Sequence, residues 1–293
     1  MTYTLPGPLV PAETLTGATW PQADEDNVFA YARGLQTFVT DVSGTQRAAD
    51  QAVLDLGQGY HGGSYDAMVQ FCSRTTEYVS AAVDVAAAQM AVALDGAAQT
   101  VYAAKATMAQ VLLDLTKFIL VGTITLRPDV DGAVLYSART EIDTLFAKAE
   151  QGLLKLDGAA QALETAAAPS AGDSPTGTGP AGATGGVGSS FGADPGYLTD
   201  CANRFRRFAD DVANSRAAFN DSVAGLPTGP GGVPLAPAID AAEGRANFSV
   251  NLIAATVTAL YQQTADRLEQ VVANLSETEQ HHTKSFGRLA GQL

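Results

Sequence analysis

Apolar residues recur at every third or fourth position along most of the chain, which is the spacing of an amphipathic α-helix. The first such run follows Asp24, a residue type that caps helix N-termini, and continues to Leu56 before two glycines end it. Its apolar seam has heptad spacing. The seam consists of Val28, Ala32, Leu35, Val39, Val42, Gln46, Ala49, Val53 and Leu56. Strand-like alternation is essentially absent, so the sequence predicts an all-α chain.

The same spacing predicts four further helices. One begins at Tyr65 and continues through Ile119 until Arg127-Pro128-Asp129 stops it, with kinks predicted at Asp95-Gly96 and at Gly122. The others lie at Leu135–Leu163, Leu198–Phe219 and Ile239–Leu289. The chain therefore reads as two modules, each containing a long antiparallel helical hairpin.

Composition marks the boundaries between these modules. Residues 1–20 are rich in proline and predict an irregular arm, followed by a helical domain at 21–165. Residues 166–195 are mostly Gly, Ala, Ser, Thr and Pro, which is typical of a flexible linker. A second helical hairpin is predicted at 196–293.

The charge of the chain limits its partners. The net charge is −14, so the sequence lacks the basic footprint of a nucleic-acid-binding protein. The same charge opposes adsorption to an anionic membrane, although apolar insertion stays open. Only 7% of the residues are aromatic while 46% are hydrophobic, which favours close packing of Ala-, Val- and Leu-rich helices.

The sequence shows no classical signal peptide, because three prolines lie where an apolar core is required. The longest dense apolar run, Phe118–Leu126, is much shorter than the roughly 20 residues of a spanning helix. Cys72 and Cys201 both fall on apolar seam positions. We expect buried free thiols, with a single interdomain disulfide as the alternative.

Three patterns that suggest chemistry have simpler explanations. Gly188–Gly192 matches the G-x-S-x-G nucleophile motif around Ser190, but no strand precedes it. His281-His282 follows two glutamates, yet the sequence offers too few further ligands for a metal site. Arg204, Arg206 and Arg207 lie among aspartates, which favours a salt-bridged face along one helix. We therefore predict no catalytic residue, no cofactor, no metal site and no enzymatic activity.

The segment GQGYHGGSYDAMVQF, residues 57–71, raises one more possibility. His61 and Ser64 among glycines resemble a catalytic loop. However, the segment lies between two heptad seams, where the chain must reverse and where glycine tolerates a positive φ. The sequence predicts a turn.

A long helix, a short aromatic-x-Gly loop and a second helix resemble the WXG100 proteins, which are substrates of type VII (ESX) secretion systems in actinobacteria and their relatives. Tyr60-His61-Gly62 occupies the W-x-G position, with Tyr in place of Trp. Asp66-Ala67 and Phe71 resemble the family's segment after the turn.

The resemblance extends beyond this motif. Trp20-Pro21 and the acidic helix start resemble the larger variant in the N-terminal domain of the mycobacterial outer-membrane channel and necrotizing-toxin protein. This similarity covers Leu15 to Leu163. The second module, from Tyr197, resembles another WXG100- or EspC-like hairpin, with LPTGPGG in place of W-x-G.

The resemblance implies passage from the cytoplasm to a secreted or cell-surface location without a cleaved signal peptide. It implies pairing with a small WXG100- or Esx-like helical protein, or self-association, and contact with the type VII machinery or a chaperone. It also allows a toxin domain after Leu293. One departure is clear: none of the nine tyrosines has Asp or Glu four residues later, so the family's Y-x-x-x-D/E signal is absent. Either a partner or a region beyond this chain carries the signal, or the protein is not a direct substrate.

We therefore expect a non-enzymatic secretion substrate or export module that binds helical partners. The alternatives are a membrane-active, pore-forming secreted protein, in which residues 111–126 would insert, and a cytoplasmic coiled-coil scaffold. The turn residues Tyr60, His61 and Gly62 define the motif. Candidate packing or partner contacts are Trp20, Phe205, Phe208 and Phe219.

Overall fold

The computed structural model describes residues 4–120, 131–168, 192–226 and 235–290. Within these ranges the chain is almost entirely helical, and its strands are limited to one antiparallel pair of two residues each. The prediction of an all-α chain is confirmed.

The described residues form seven α-helices and two short strands. The helices are α1 (Val10–Thr16), α2 (Glu25–Leu56), α3 (Gly63–Val79), α4 (Ala88–Leu120), α5 (Asp131–Ala167), α6 (Pro195–Val223) and α7 (Ala236–Ala290). The strands are β1 (Tyr60–His61) and β2 (Gly192–Ala193). A 3₁₀ turn precedes α1 at Gly7–Leu9, and a π-helical segment at Ser80–Ala87 joins α3 to α4.

Residues 4–20 are more ordered than the predicted irregular arm. They include the 3₁₀ turn and α1, whose proline lies in the first turn, where its missing N–H costs no hydrogen bond. Beyond α1, the backbone N–H of Trp20 donates to the Glu13 carboxylate at 2.8 Å. This bond fixes the chain between α1 and α2.

Helix α2 begins as the sequence predicts. The Asp24 carboxylate accepts hydrogen bonds from the backbone N–H groups of Asp26, at 3.0 Å, and Asn27, at 3.3 Å. The predicted seam is buried except at Val39, which is half-buried. The heptad spacing therefore identified the packed face of this helix.

The long helical region after the turn is interrupted at a different place from the one predicted. Helix α4 continues through Gly96, whose carbonyl accepts a bond from the Thr100 hydroxyl at 2.8 Å. The break in α-helical bonding is instead the π segment Ser80–Ala87, where Asp84 accepts a bond from the Ser43 hydroxyl. The kink prediction at Gly96 was wrong because glycine lowers helix propensity without removing the backbone N–H. Gly122 lies outside the described residues.

The contacts within the chain define two compact units. Unit 1 comprises residues 1–37, 86–165 and 219–249, and unit 2 comprises residues 38–85, 166–218 and 250–293. Each unit combines three segments, whereas the predicted domains 21–165 and 196–293 are continuous in sequence. Those domain boundaries stay a prediction, and residues 169–191 of the predicted linker lie outside the described residues.

Both units contain buried apolar side chains. In unit 1, the core includes Leu9 and Trp20, which pack with Met108, Leu112 and Ile142. In unit 2, the buried side chains include Val42, Leu56, Val79, Phe205 and Val257. Burying a side chain of this size stabilises the fold by about 1.5–3 kcal/mol, so these clusters dominate the stability of each unit.

Candidate functional site

The segment predicted as a turn connects α2 to α3. The backbone N–H groups of Gly57 and Gly59 donate to carbonyls at the end of α2, those of Val53 and Leu56. Gly62, with φ 115°, precedes α3. Residues Tyr60 and His61 form β1, which pairs antiparallel with β2. This pairing could not be predicted from the sequence, because β2 belongs to the predicted linker.

Tyr60 is the anchor of this turn. Its side chain is fully buried, and its ring lies edge-on to that of Tyr65 at 5.9 Å between centroids. The Tyr65 hydroxyl donates to the Val53 carbonyl at 3.3 Å and lies where a Cβ on Gly57 would stand. His61 is exposed, and the Ser64 side chain lies outside the described residues. The geometry of the turn is that of a packed chain reversal.

Replacing Gly62 with Ala should destabilise the protein by about 1–3 kcal/mol, because φ 115° and ψ −179° form a conformation that essentially only glycine adopts. Urea unfolding followed by circular dichroism measures the change. Gly96→Ala, at an exposed position of α4 where a Cβ meets open space, is the matched control. It should stabilise the protein by about 0.5–1 kcal/mol. Equal effects of the two substitutions would contradict the assigned role of Gly62.

The four aromatic residues named from the sequence all pack within the chain. In unit 1, Trp20 lies in the core cluster and Phe219 contacts Tyr31 edge-on at 5.6 Å. In unit 2, Phe205 and Phe208 lie 5.7 Å apart and edge-on, and both contact Tyr261. Their burial favours the packing interpretation over direct contact with a partner.

A buried polar network in unit 2 surrounds Tyr261. Its hydroxyl donates to the Gln46 side-chain oxygen at 2.7 Å, and the Gln46 amide donates to Asp50 at 2.8 Å. The Thr76 hydroxyl also donates to Asp50, at 2.8 Å. The space between these residues holds no volume that a water molecule can occupy. The network therefore joins helices and forms no ligand pocket.

The two cysteines are free and buried, and both belong to unit 2. Burial raises the pKa of Cys72 to about 12, assisted by the neighbouring Cys201, and burial raises the pKa of Cys201 to about 11. Since the thiolate is the nucleophile, neither thiol is activated for catalysis. The prediction of buried free thiols is confirmed.

The arginine cluster on α6 forms ion pairs that differ from those predicted. Arg204 pairs with Asp55 of α2 at 2.9 Å, and Arg206 pairs with Glu269 of α7 at 2.5 Å. These pairs connect different helices, whereas the sequence predicted pairs along one helix face. The prediction was wrong because spacing along a helix does not reveal which acidic residues the neighbouring helices bring close.

Unit 1 contains a buried ion pair that the sequence analysis missed. Lys105 of α4 lies 2.5 Å from the Glu25 carboxylate, and the two side chains are 2% and 1% exposed. The same ammonium donates to the Ala23 carbonyl at 2.7 Å. The available signal was the position of Lys105 between small apolar residues, in the stretch Ala103-Ala104-Lys105-Ala106.

A second buried acid lies in unit 1. Glu243 of α7 is almost fully buried, and neither its Oε1 nor Oδ1 of Asp240 has a hydrogen-bond partner among the described residues. Burial, together with the negative charge of Asp240, raises the pKa of Glu243 to about 8. The Tyr31 hydroxyl donates to the backbone carbonyl of Glu243 at 2.8 Å. Burial and the negative charge of Glu243 raise the pKa of Tyr31.

The described part of the chain contains no group of three or more His, Cys, Asp or Glu side chains arranged to hold a metal ion. The side chains of His281 and His282, and the residues 188–191 that carry most of the G-x-S-x-G match, lie outside the described residues. The interpretations of the histidine pair and of the G-x-S-x-G match stay predictions.

One helical stretch has the length and composition of a membrane span. Among the described residues, Tyr65–Lys117 contains a window with mean hydropathy 1.3, of which 50% is buried inside the protein. A core helix of a soluble protein has the same properties, so this is weak evidence for membrane insertion.

Comparisons with known proteins identify no relative. No family model, no curated protein and no solved structure matches the chain. The local geometry is therefore the basis for any functional assignment.

Proposed function

We propose that the chain is a non-enzymatic protein of the type VII secretion pathway, acting as a secreted substrate or as an N-terminal export and targeting module that binds helical partners. The observation that carries the proposal is the reversal between two long helices at Tyr60-His61-Gly62. Its aromatic residue is buried and its glycine has a positive φ.

The way the helices pack within the chain supports recognition by helix packing. The seams of α2 and α7 extend over many turns, and the hydrogen bonds and ion pairs described above connect helix to helix. The same packing mode recognises partner helices, through apolar anchors at i, i+3, i+4 and i+7 of an amphipathic helix. The two-hairpin arrangement and a flexible linker between the hairpins belong to this proposal.

The experiment is to express the tagged chain in an actinobacterial host with an intact type VII system and in the same host with that system inactivated. We expect the protein in the culture filtrate of the intact strain only, together with a small helical protein that carries Y-x-x-x-D/E. A cytoplasmic marker absent from both filtrates controls for lysis. Retention in the cytoplasm of both strains would contradict the proposal and favour the scaffold alternative.

Membrane activity is the second candidate function, and the apolar stretch within Tyr65–Lys117 is the observation that favours it. Release of a dye from liposomes, measured at neutral and at acidic pH, tests this candidate. Absence of release under both conditions removes it.

A further inference from the structure

Unit 1 contains a groove between α5 and the first turns of α7. Its volume is about 470 Å³, which lies within the range of about 300–1,000 Å³ that ligand-binding clefts occupy. The buried side chains of Leu153 and Leu235 line the groove, together with Pro237 and Ala241 of α7. The groove therefore offers an apolar surface between two helices.

Two residues of the groove wall bear on whether a second molecule covers it. Leu154 lines it with a side chain that is 70% exposed, although leucine gains free energy when it is buried. Leu235 has φ 80°, a conformation that is costly for a residue with a Cβ. Leu154 extends the apolar lining formed by Leu153, Leu235, Pro237 and Ala241 out to the surface. A continuous apolar patch of this kind favours a contact surface that a second molecule covers.

The charges near the groove indicate what kind of molecule covers it. Glu150 lies at the groove with an exposed side chain, whereas the charge of Asp157 beside it is balanced by Arg245 at 2.8 Å, so Glu150 supplies the local negative charge. The whole chain carries a net charge of −14, so a second copy would be repelled. A partner with basic residues next to apolar ones is complementary to this surface.

We propose that the groove binds a short amphipathic helix of a partner protein, with leucine-sized side chains against Leu153 and Leu154 and with Lys or Arg facing Glu150. A helix fits because both walls are helices with an apolar strip between them. This inference rests on the proposed function as a helix-binding protein, and it identifies the groove as the surface that binds the partner helix.

The test uses a fluorescein-labelled peptide of Leu and Lys, about 15 residues or four turns long, with its leucines on one face. Fluorescence anisotropy at physiological salt measures its dissociation constant for the full chain. Leu154→Asp should weaken binding by about tenfold or more. Tyr136→Asp is the matched control, since Tyr136 is also on α5, is 74% exposed, and receives the same new charge. It should change binding by less than about twofold.

A second pair of variants tests the charge. Glu150→Lys should weaken binding of the Leu–Lys peptide and strengthen binding of a Leu–Glu peptide of equal length. Glu141→Lys, at an exposed position of α5, is the control. It should change the binding of each peptide only slightly, through the change in net charge. Circular dichroism checks that all variants remain folded.

The proposal is overturned if Leu154→Asp and Tyr136→Asp weaken binding equally, or if the unaltered chain does not bind the peptide. These outcomes are separable from failure of the proposed function. Export by the type VII system without peptide binding removes the groove assignment alone, and peptide binding without export removes the secretion assignment alone.

Discussion

Replacing Glu243 with Gln should flatten the pH dependence of stability and make the protein more stable than the original above about pH 8. The folded-state pKa of Glu243, about 8, is above its ordinary value of 4.5, because burial and the nearby Asp240 charge disfavour the ionised form. Between these two values the folded protein holds a proton that the unfolded chain releases. The contribution of this group is complete below about pH 4.5 and is lost as the pH rises through about 8.

The loss should be about 1 kcal/mol per pH unit within this window. Urea unfolding at about pH 5 and about pH 9 gives the two free energies of unfolding for each protein. The control is Glu141→Gln, which removes one carboxylate from an exposed position of α5 and should leave the pH slope unchanged. If Glu243→Gln and the original protein give parallel stability curves, Glu243 does not carry the proton.

Replacing Lys105 with Met should cost about 3–5 kcal/mol of folding free energy, because it leaves the Glu25 carboxylate buried without its cation. The Ala23 carbonyl loses its ammonium donor at the same time. Removing both charges, with Lys105→Met and Glu25→Gln, should recover most of that loss, since buried pairs contribute little relative to neutral residues.

Helix α4 also provides a matched control for this substitution. Lys117 pairs with Asp114 at 2.8 Å, but both side chains are more than half exposed. Lys117→Met should therefore change the free energy of unfolding by less than about 1 kcal/mol. Similar losses at Lys105 and Lys117, or a double variant no more stable than Lys105→Met, would contradict the buried-pair interpretation. Chemical denaturation of the four proteins gives the comparison.

The sequence predicted the helices well wherever apolar spacing repeats over several turns. The seam of α2 from Val28 to Leu56 is buried as expected, and the packed faces of α5, α6 and the described part of α7 follow the same rule. Helix α1 was missed because its seven residues are too few for a repeat to emerge. Strand β1 was missed because each strand has only two residues, and their pairing depends on a distant segment.

The buried charges were missed for a different reason. Lys105 and Glu25 are 80 residues apart, and each alone is typical of a solvated helix face. Glu243 lies on the core face of α7, between Ile239 and Ala246, where an acidic residue at an apolar position was the only available signal. A periodic pattern shows which side of a helix is packed, but a charge pair requires knowledge of which helices meet.

The distribution of Trp and Cys gives each compact unit its own intrinsic probe. Trp20 is the only tryptophan of the chain and belongs to unit 1, while both cysteines are buried in unit 2. Tryptophan fluorescence therefore reports opening of unit 1, and the labelling rate of the thiols by a disulfide reagent reports opening of unit 2. Coincident transitions would mean one cooperative unfolding event, and separate transitions would mean two. Because Glu243 and Lys105 both lie in unit 1, the same two signals show whether the destabilisation caused by each substitution reaches unit 2, without any probe residue being engineered into the chain.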